Sequence, residues 1–147
     1  MRKFFGTMAV ALALPAMAAA DGARFYDYDG SFEDAAFAVE TAIVGEGLVI
    51  DFVSHVGDML NRTQADVGGT VKLYENANIF LFCSAVVSRK VMEADPANIA
   101  HCPYGIFVTE AGDGSGAVQI GYREMPKGPM QDVEALLEKI VGEAMGG

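Results

Sequence analysis

Reactive side chains are scarce in this chain of 147 residues: two histidines, His55 and His101, and two cysteines, Cys83 and Cys102, make up the whole supply. No C-x-x-C-H stretch occurs, which excludes covalently attached c-type haem. Neither a C-x-x-C nor an H-x-x-x-H pair is present, so no standard local metal clip exists. A nucleophile-elbow sequence of the hydrolase kind is also missing, and catalysis has no positive motif behind it. Basic residues are few, 10 Lys and Arg against 20 Asp and Glu, for a formal charge of −10. Such a polyanion is repelled by nucleic acid phosphates and by anionic lipid, and no basic cluster overrides that field. Nucleic acid is therefore excluded as a partner. The acidic groups are spread singly or in pairs and read as a solvated face. Internal repeats, low-complexity tracts and linkers are absent after Ala20.

The one extended apolar stretch lies at the N-terminus. In "MRKFFGTMAVALALPAMAAADG" a basic start at Arg2 and Lys3 leads into apolar residues from Phe4 to Leu14, then Pro15 and small residues ending at Ala18, Ala19 and Ala20. The apolar run is too short to span a membrane, and small residues at the minus-three and minus-one positions suit signal peptidase. Residues 1–20 are thus expected to be a signal peptide cleaved after Ala20, leaving no transmembrane anchor and a single domain over 21–147. Eight basic residues then face twenty acidic ones, a net charge of −12. The expected location is periplasmic or secreted, an oxidising compartment in which two cysteines can bridge.

Along the remaining 127 residues the periodicities alternate. "ARFYDYDG" reads as a strand ending at Gly30. Ser31 caps a helix with Glu33 and Asp34 in its first turn and Phe32, Ala36, Val39 and Ile43 on one face. "LVIDFVS" is apolar and β-branched, a second strand expected to be buried, and "HVGDMLNRT" has the length of a short helix. "DVGGTVKLYENA" reads as a loop and "NIFLFC" as a central strand. Ser84 caps a third helix with Val87, Val91 and Ala94 on one face and an Arg89–Glu93 pair on another, closed by Pro96. "YGIFVTE" and "AVQIGYRE" flank the glycine-rich "AGDGSG" as a hairpin. After Pro126 and Pro129 a last helix carries Val133, Leu137, Ile140 and Ala144. The order β-α-β-α-β-α-β-β-α predicts an α+β fold, a mixed or antiparallel sheet of about five strands with helices mainly on one face.

The segment "IFLFCSAVVSRKVMEADPANIAHCPYGIFVTE", residues 79–110, resembles the bacterial and archaeal family named domain of unknown function 302. Cys83, Ala94, Pro96, Pro103 and the apolar "GIFV" fall on the family pattern, and His55 falls where one branch carries a histidine. The chain departs from it at Ser84-Ala85, where an Asn-Pro pair is frequent, and at Tyr104, where a cysteine often follows the second proline. The resemblance implies a small α+β domain, with a homodimer as an expected assembly, and transfers no reaction.

The functional expectation rests on Cys83, Cys102, His55 and His101. Were the second and third strands parallel neighbours, His55 would lie near Cys83. Were the extended "DPANIAHC" to return along the roughly 15 Å third helix, the fourth strand would start beside Cys83, antiparallel to the third, and bring His101 and Cys102 with it. Three readings then stand side by side. A structural Cys83–Cys102 disulfide would close a loop worth about 3 kcal/mol. Two thiolates and two imidazoles form a chemically complete shell for Cu or Zn. Cys83 at a helix N-terminus could be a working thiol. His55 by itself reads as a hydrogen-bonded residue at a helix start. "GDGSG" reads as a hairpin turn because it leads into a strand, and "DYDGSFED" has its glycine and distal glutamate misplaced for an EF-hand. The leading expectation is an exported domain without catalysis that binds a small ligand, a metal or a periplasmic protein partner. A thiol redox or sulfur-handling role through Cys83 is the alternative.

Overall fold

A computed structural model describes residues 22–147, so the expected signal peptide lies outside the described residues. The elements are β1 (Ala23–Tyr28), α1 (Phe32–Gly45), β2 (Val49–Ser54), α2 (Val56–Thr63), β3 (Tyr74–Cys83), α3 (Ala85–Ala94), a 3₁₀ turn (Pro96–His101), β4 (Tyr104–Ala111), β5 (Val118–Arg123) and α4 (Gln131–Ala144). The strands form one sheet in the order β1-β5-β4-β3-β2, every neighbour antiparallel. The expected α+β architecture and element order are those observed. Among the described residues no helix is long and apolar enough to cross a membrane.

Alternation along the strands selects the core. Phe80 and Phe82 of β3, Tyr104, Ile106 and Val108 of β4, and Val118, Ile120 and Tyr122 of β5 point to one face and are buried. Onto that face pack Phe32, Ala35, Val39, Ala42 and Ile43 of α1, together with Val133, Leu137, Ile140, Val141 and Ala144 of α4. Helix α1 begins where Ser31 Oγ accepts the Asp34 N–H at 3.1 Å, satisfying one of the orphan donors of the first turn. Lys90 of α3 pairs with Asp132 of α4, and Lys139 of α4 with Glu46 beyond α1, clipping the helical layer at its surface. Helix α2 covers only one end of the opposite face, where a Cβ on Gly57 would strike the backbone of Ala77.

Local expectations fail where pairing partners decide. The segment "LVIDFVS" is not a buried strand: β2 is an edge, with Val49 73% and Phe52 62% exposed while Ile50 and Val53 pack toward the core. An apolar run does not by itself distinguish burial on one face from burial on two. The "LYENA" stretch, read as loop, is the first half of β3, because it finds Glu110 and Ala111 of β4 across the ladder. The "NIFLFC" strand lies inside the sheet as expected, paired on both sides, with β4 next to it at the middle. The "DPANIAHC" connection is not extended either. Asp95 Oδ1 accepts the Ala97 N–H at 2.9 Å, Pro96 starts the turn, and Asn98 Nδ2 donates to the Val91 carbonyl at 2.8 Å, winding it into the 3₁₀ turn. The "GDGSG" hairpin forms as expected, with Asp113 Oδ1 accepting the Ser115 N–H and Gly114 and Gly116 at φ of 80° and 71°.

Candidate functional site

Strand β3 ends at Cys83 and β4 begins just after Cys102, and the antiparallel register sets Phe82 opposite Tyr104. This brings the two thiols together, with Cys83 Sγ and Cys102 Sγ 2.6 Å apart and both side chains half-buried. Cys102 packs on the edge of the core and is followed by a cis peptide to Pro103. One turn into α3, Ser88 Oγ and the Tyr104 hydroxyl share a hydrogen bond at 2.8 Å. Tyr104 is buried, and its phenol is pushed up mainly by burial, against the Ser88 hydrogen bond and with the help of the neighbouring thiols. His101, the last residue of the 3₁₀ turn, sits half-buried on the same rim.

His55 is elsewhere. The parallel pairing that would have placed it beside Cys83 is not made: β2 and β3 are antiparallel, with Val49 opposite Cys83 and Ser54 opposite Ile79. With β2 and β3 running in opposite directions, Ser54 at the end of β2 lies opposite Ile79, midway along β3. His55 precedes α2, and its Nδ1 lies 2.8 Å from Asn78 Oδ1. Asn78 is five residues before Cys83, about 17 Å along the strand. The hydrogen-bonded His55 at a helix start is observed, and the four-residue constellation is not. Among the described residues no group of three or more His, Cys, Asp or Glu side chains is arranged to hold a metal ion.

Two opposing effects act on Cys83. It directly precedes the N-terminus of α3, where Ser84 Oγ accepts the Val87 N–H and the helix dipole favours an anion. Burial, the hydrogen bond shared with Cys102 and the negative charge of Asp51 disfavour it, and together they push the Cys83 thiol up to about 12. Burial wins, so near neutral pH Cys83 is a protonated thiol when reduced. The Ser88–Tyr104 contact had no sequence motif; helical spacing from the Ser84 cap is the one signal that could have placed Ser88 over the rim. A second concavity, about 190 Å³ and lined by Phe25, Val56, Ile79 and Phe107 at the α2 end of the open sheet face, is smaller than most ligand sites.

Comparison with known proteins adds a family and a fold. A family model described as "Domain of unknown function DUF302" matches residues 26–143. Among solved structures the chain is similar to the crystal structure of an uncharacterized conserved DUF302 protein from Bacillus stearothermophilus. The two share 15% identity and a TM-score of 0.59, over 86% of this chain and 94% of that one. Among curated proteins none matches.

Proposed function

The chain belongs to the DUF302 family, and on that premise we propose that it is an exported binding domain, not a catalyst, in which Cys83 and Cys102 form a structural disulfide. The observation that carries the disulfide is the 2.6 Å approach of the two sulfurs, from which a bond of about 2.05 Å needs no backbone rearrangement. The bridge ties the β3–α3 junction to the start of β4, two points 19 residues apart in sequence. Binding rather than catalysis draws its support from a sequence without a catalytic motif and from the separation of His55 from the thiols. In the bridged protein Cys83 is no free thiol, Ser84 caps α3, and His55 lies beside Asn78, halfway along β3. Export is supported by the N-terminal leader pattern and by the fit of a disulfide to an oxidising compartment.

Thiol titration of the denatured, unreduced protein should find no free sulfhydryl, and two after reduction. Two free thiols before reduction would overturn the bridge. The mature N-terminus should read Asp21, and a chain beginning at Met1 in the exported fraction would overturn the leader. The alternative role, thiol redox through Cys83, draws its support from the position before α3. It requires fast alkylation of the reduced protein near neutral pH, which the raised thiol pKa opposes.

A further inference from the structure

The segment Tyr28 to Asp34, whose spacing fails as a calcium loop, is put to another use by the fold. With the outer face of α1 and the last turn of α4 it encloses an open groove of about 600 Å³. That size lies within the roughly 300–1,000 Å³ range of small-molecule sites. Two chemistries meet in it: the rings of Tyr28 and Phe37, and the carboxylates of Asp29, Asp34 and Glu143. No lysine, arginine or histidine is among the described residues that line it.

Phe37 is 70% exposed, on the side of α1 away from the core stripe, and contributes nothing to the core cluster. The carboxylates are only partly engaged. Asp34 accepts Ser31 Oγ through one oxygen at 2.8 Å. Glu143 lies 3.9 Å from Lys139 Nζ, which is held at 2.6 Å by Glu46. The N-terminus of α1 brings about half a positive charge to the groove, which offsets a fraction of three negative ones. Aromatic faces beside three carboxylates that share a single nearby lysine favour a cation with apolar substituents, which gains from the ring quadrupole and the net negative field together.

We propose that this groove binds a small organic ammonium ion. Its charged head would sit against Phe37 and Tyr28, within reach of Asp29, Asp34 and Glu143. This names the ligand class of the binding domain and rests on that reading, though not on the state of the cysteines.

The test is a titration with choline and with its uncharged isostere 3,3-dimethylbutanol, followed by calorimetry and by amide NMR shifts in about 0.15 M salt, where loose counterion effects are screened. Choline should saturate, shift amides around Tyr28–Asp34 and Phe37–Thr41, and bind at least about tenfold more tightly than the alcohol. Phe37→Ala, on an exposed helical position that alanine favours, should weaken choline roughly three- to thirtyfold. Glu143→Gln should weaken it in the same direction. No saturation, equal affinity for the alcohol, or choline binding indifferent to both substitutions would each overturn the proposal. A protein with two free thiols that still binds choline would sink the disulfide and leave the groove standing; a bridged protein blind to choline would do the reverse.

Discussion

Reduction of the proposed Cys83–Cys102 bridge should lower the thermal midpoint by about 11 °C. The proposed bridge would join residues 19 apart in sequence, between β3 and β4. On the chain-entropy model this removes roughly 11 cal/mol/K from the unfolded chain, worth about 3 kcal/mol at 25 °C. An unfolding entropy near 2.1 cal/mol/K per residue over about 125 residues converts that into a shift of about 11 °C. Calorimetry of the oxidised protein, of the protein reduced under mild conditions, and of Cys83→Ser/Cys102→Ser measures it. The double variant should melt with the reduced protein and ignore reductant. A midpoint shift under about 3 °C, with mass spectrometry confirming that the bond was cut, would refute the reasoning. It would mean that the unfolded chain already holds these segments close.

In the reduced protein burial, the hydrogen bond with Cys102 and the charge of Asp51 push the Cys83 thiol up to about 12, so the folded state favours the protonated form. This contribution is complete below the unfolded value and is lost as pH rises from about 9 toward 12. Urea midpoints of the reduced protein should therefore fall across that range relative to the oxidised protein, and parallel curves would contradict the shift. Two tyrosines should behave oppositely. Ser88→Ala strips the buried Tyr104 hydroxyl of its partner and should cost about 1–3 kcal/mol in chemical denaturation. Tyr122→Phe removes the one buried side-chain polar atom without a partner among the described residues, and should leave stability unchanged or raise it by about 1 kcal/mol. A loss of 2 kcal/mol on Tyr122→Phe would reveal a partner for that hydroxyl. Gly121→Ala, whose Cβ would run into the Arg24 carbonyl of β1 and the Phe107 ring of β4, should destabilise by about 1–3 kcal/mol, and a midpoint equal to wild type would show that both neighbours yield freely.

Much of the secondary structure is legible locally because its signals are local. The Ser31 and Ser84 caps, the apolar stripes of α1 and α4 and the glycine-rich turn between β4 and β5 act within a few residues of themselves. The family resemblance likewise rests on residues close together, from Ile79 to Glu110, and the match over residues 26–143 places the chain in that family. Misreadings concentrate where a segment's state depends on a distant partner. Tyr74 to Ala77 becomes strand by pairing with β4, and β2 lies at an edge because, among the described residues, no strand pairs with its other side.

The candidate site divides along the same line. Four reactive residues can be counted in the sequence, and their types set the available chemistry. Which of them meet depends on strand direction. An antiparallel β3–β4 ladder joins Cys83 to Cys102, whereas an antiparallel β2–β3 ladder sends His55 about 17 Å away to Asn78. Strand direction is chosen by how long connections pack, a non-local free energy that residue types and spacings do not encode one at a time. The groove beside α1 is tertiary in the same sense: Glu143 lines it together with Asp29 and Phe37 only because α4 lies next to α1 on the sheet.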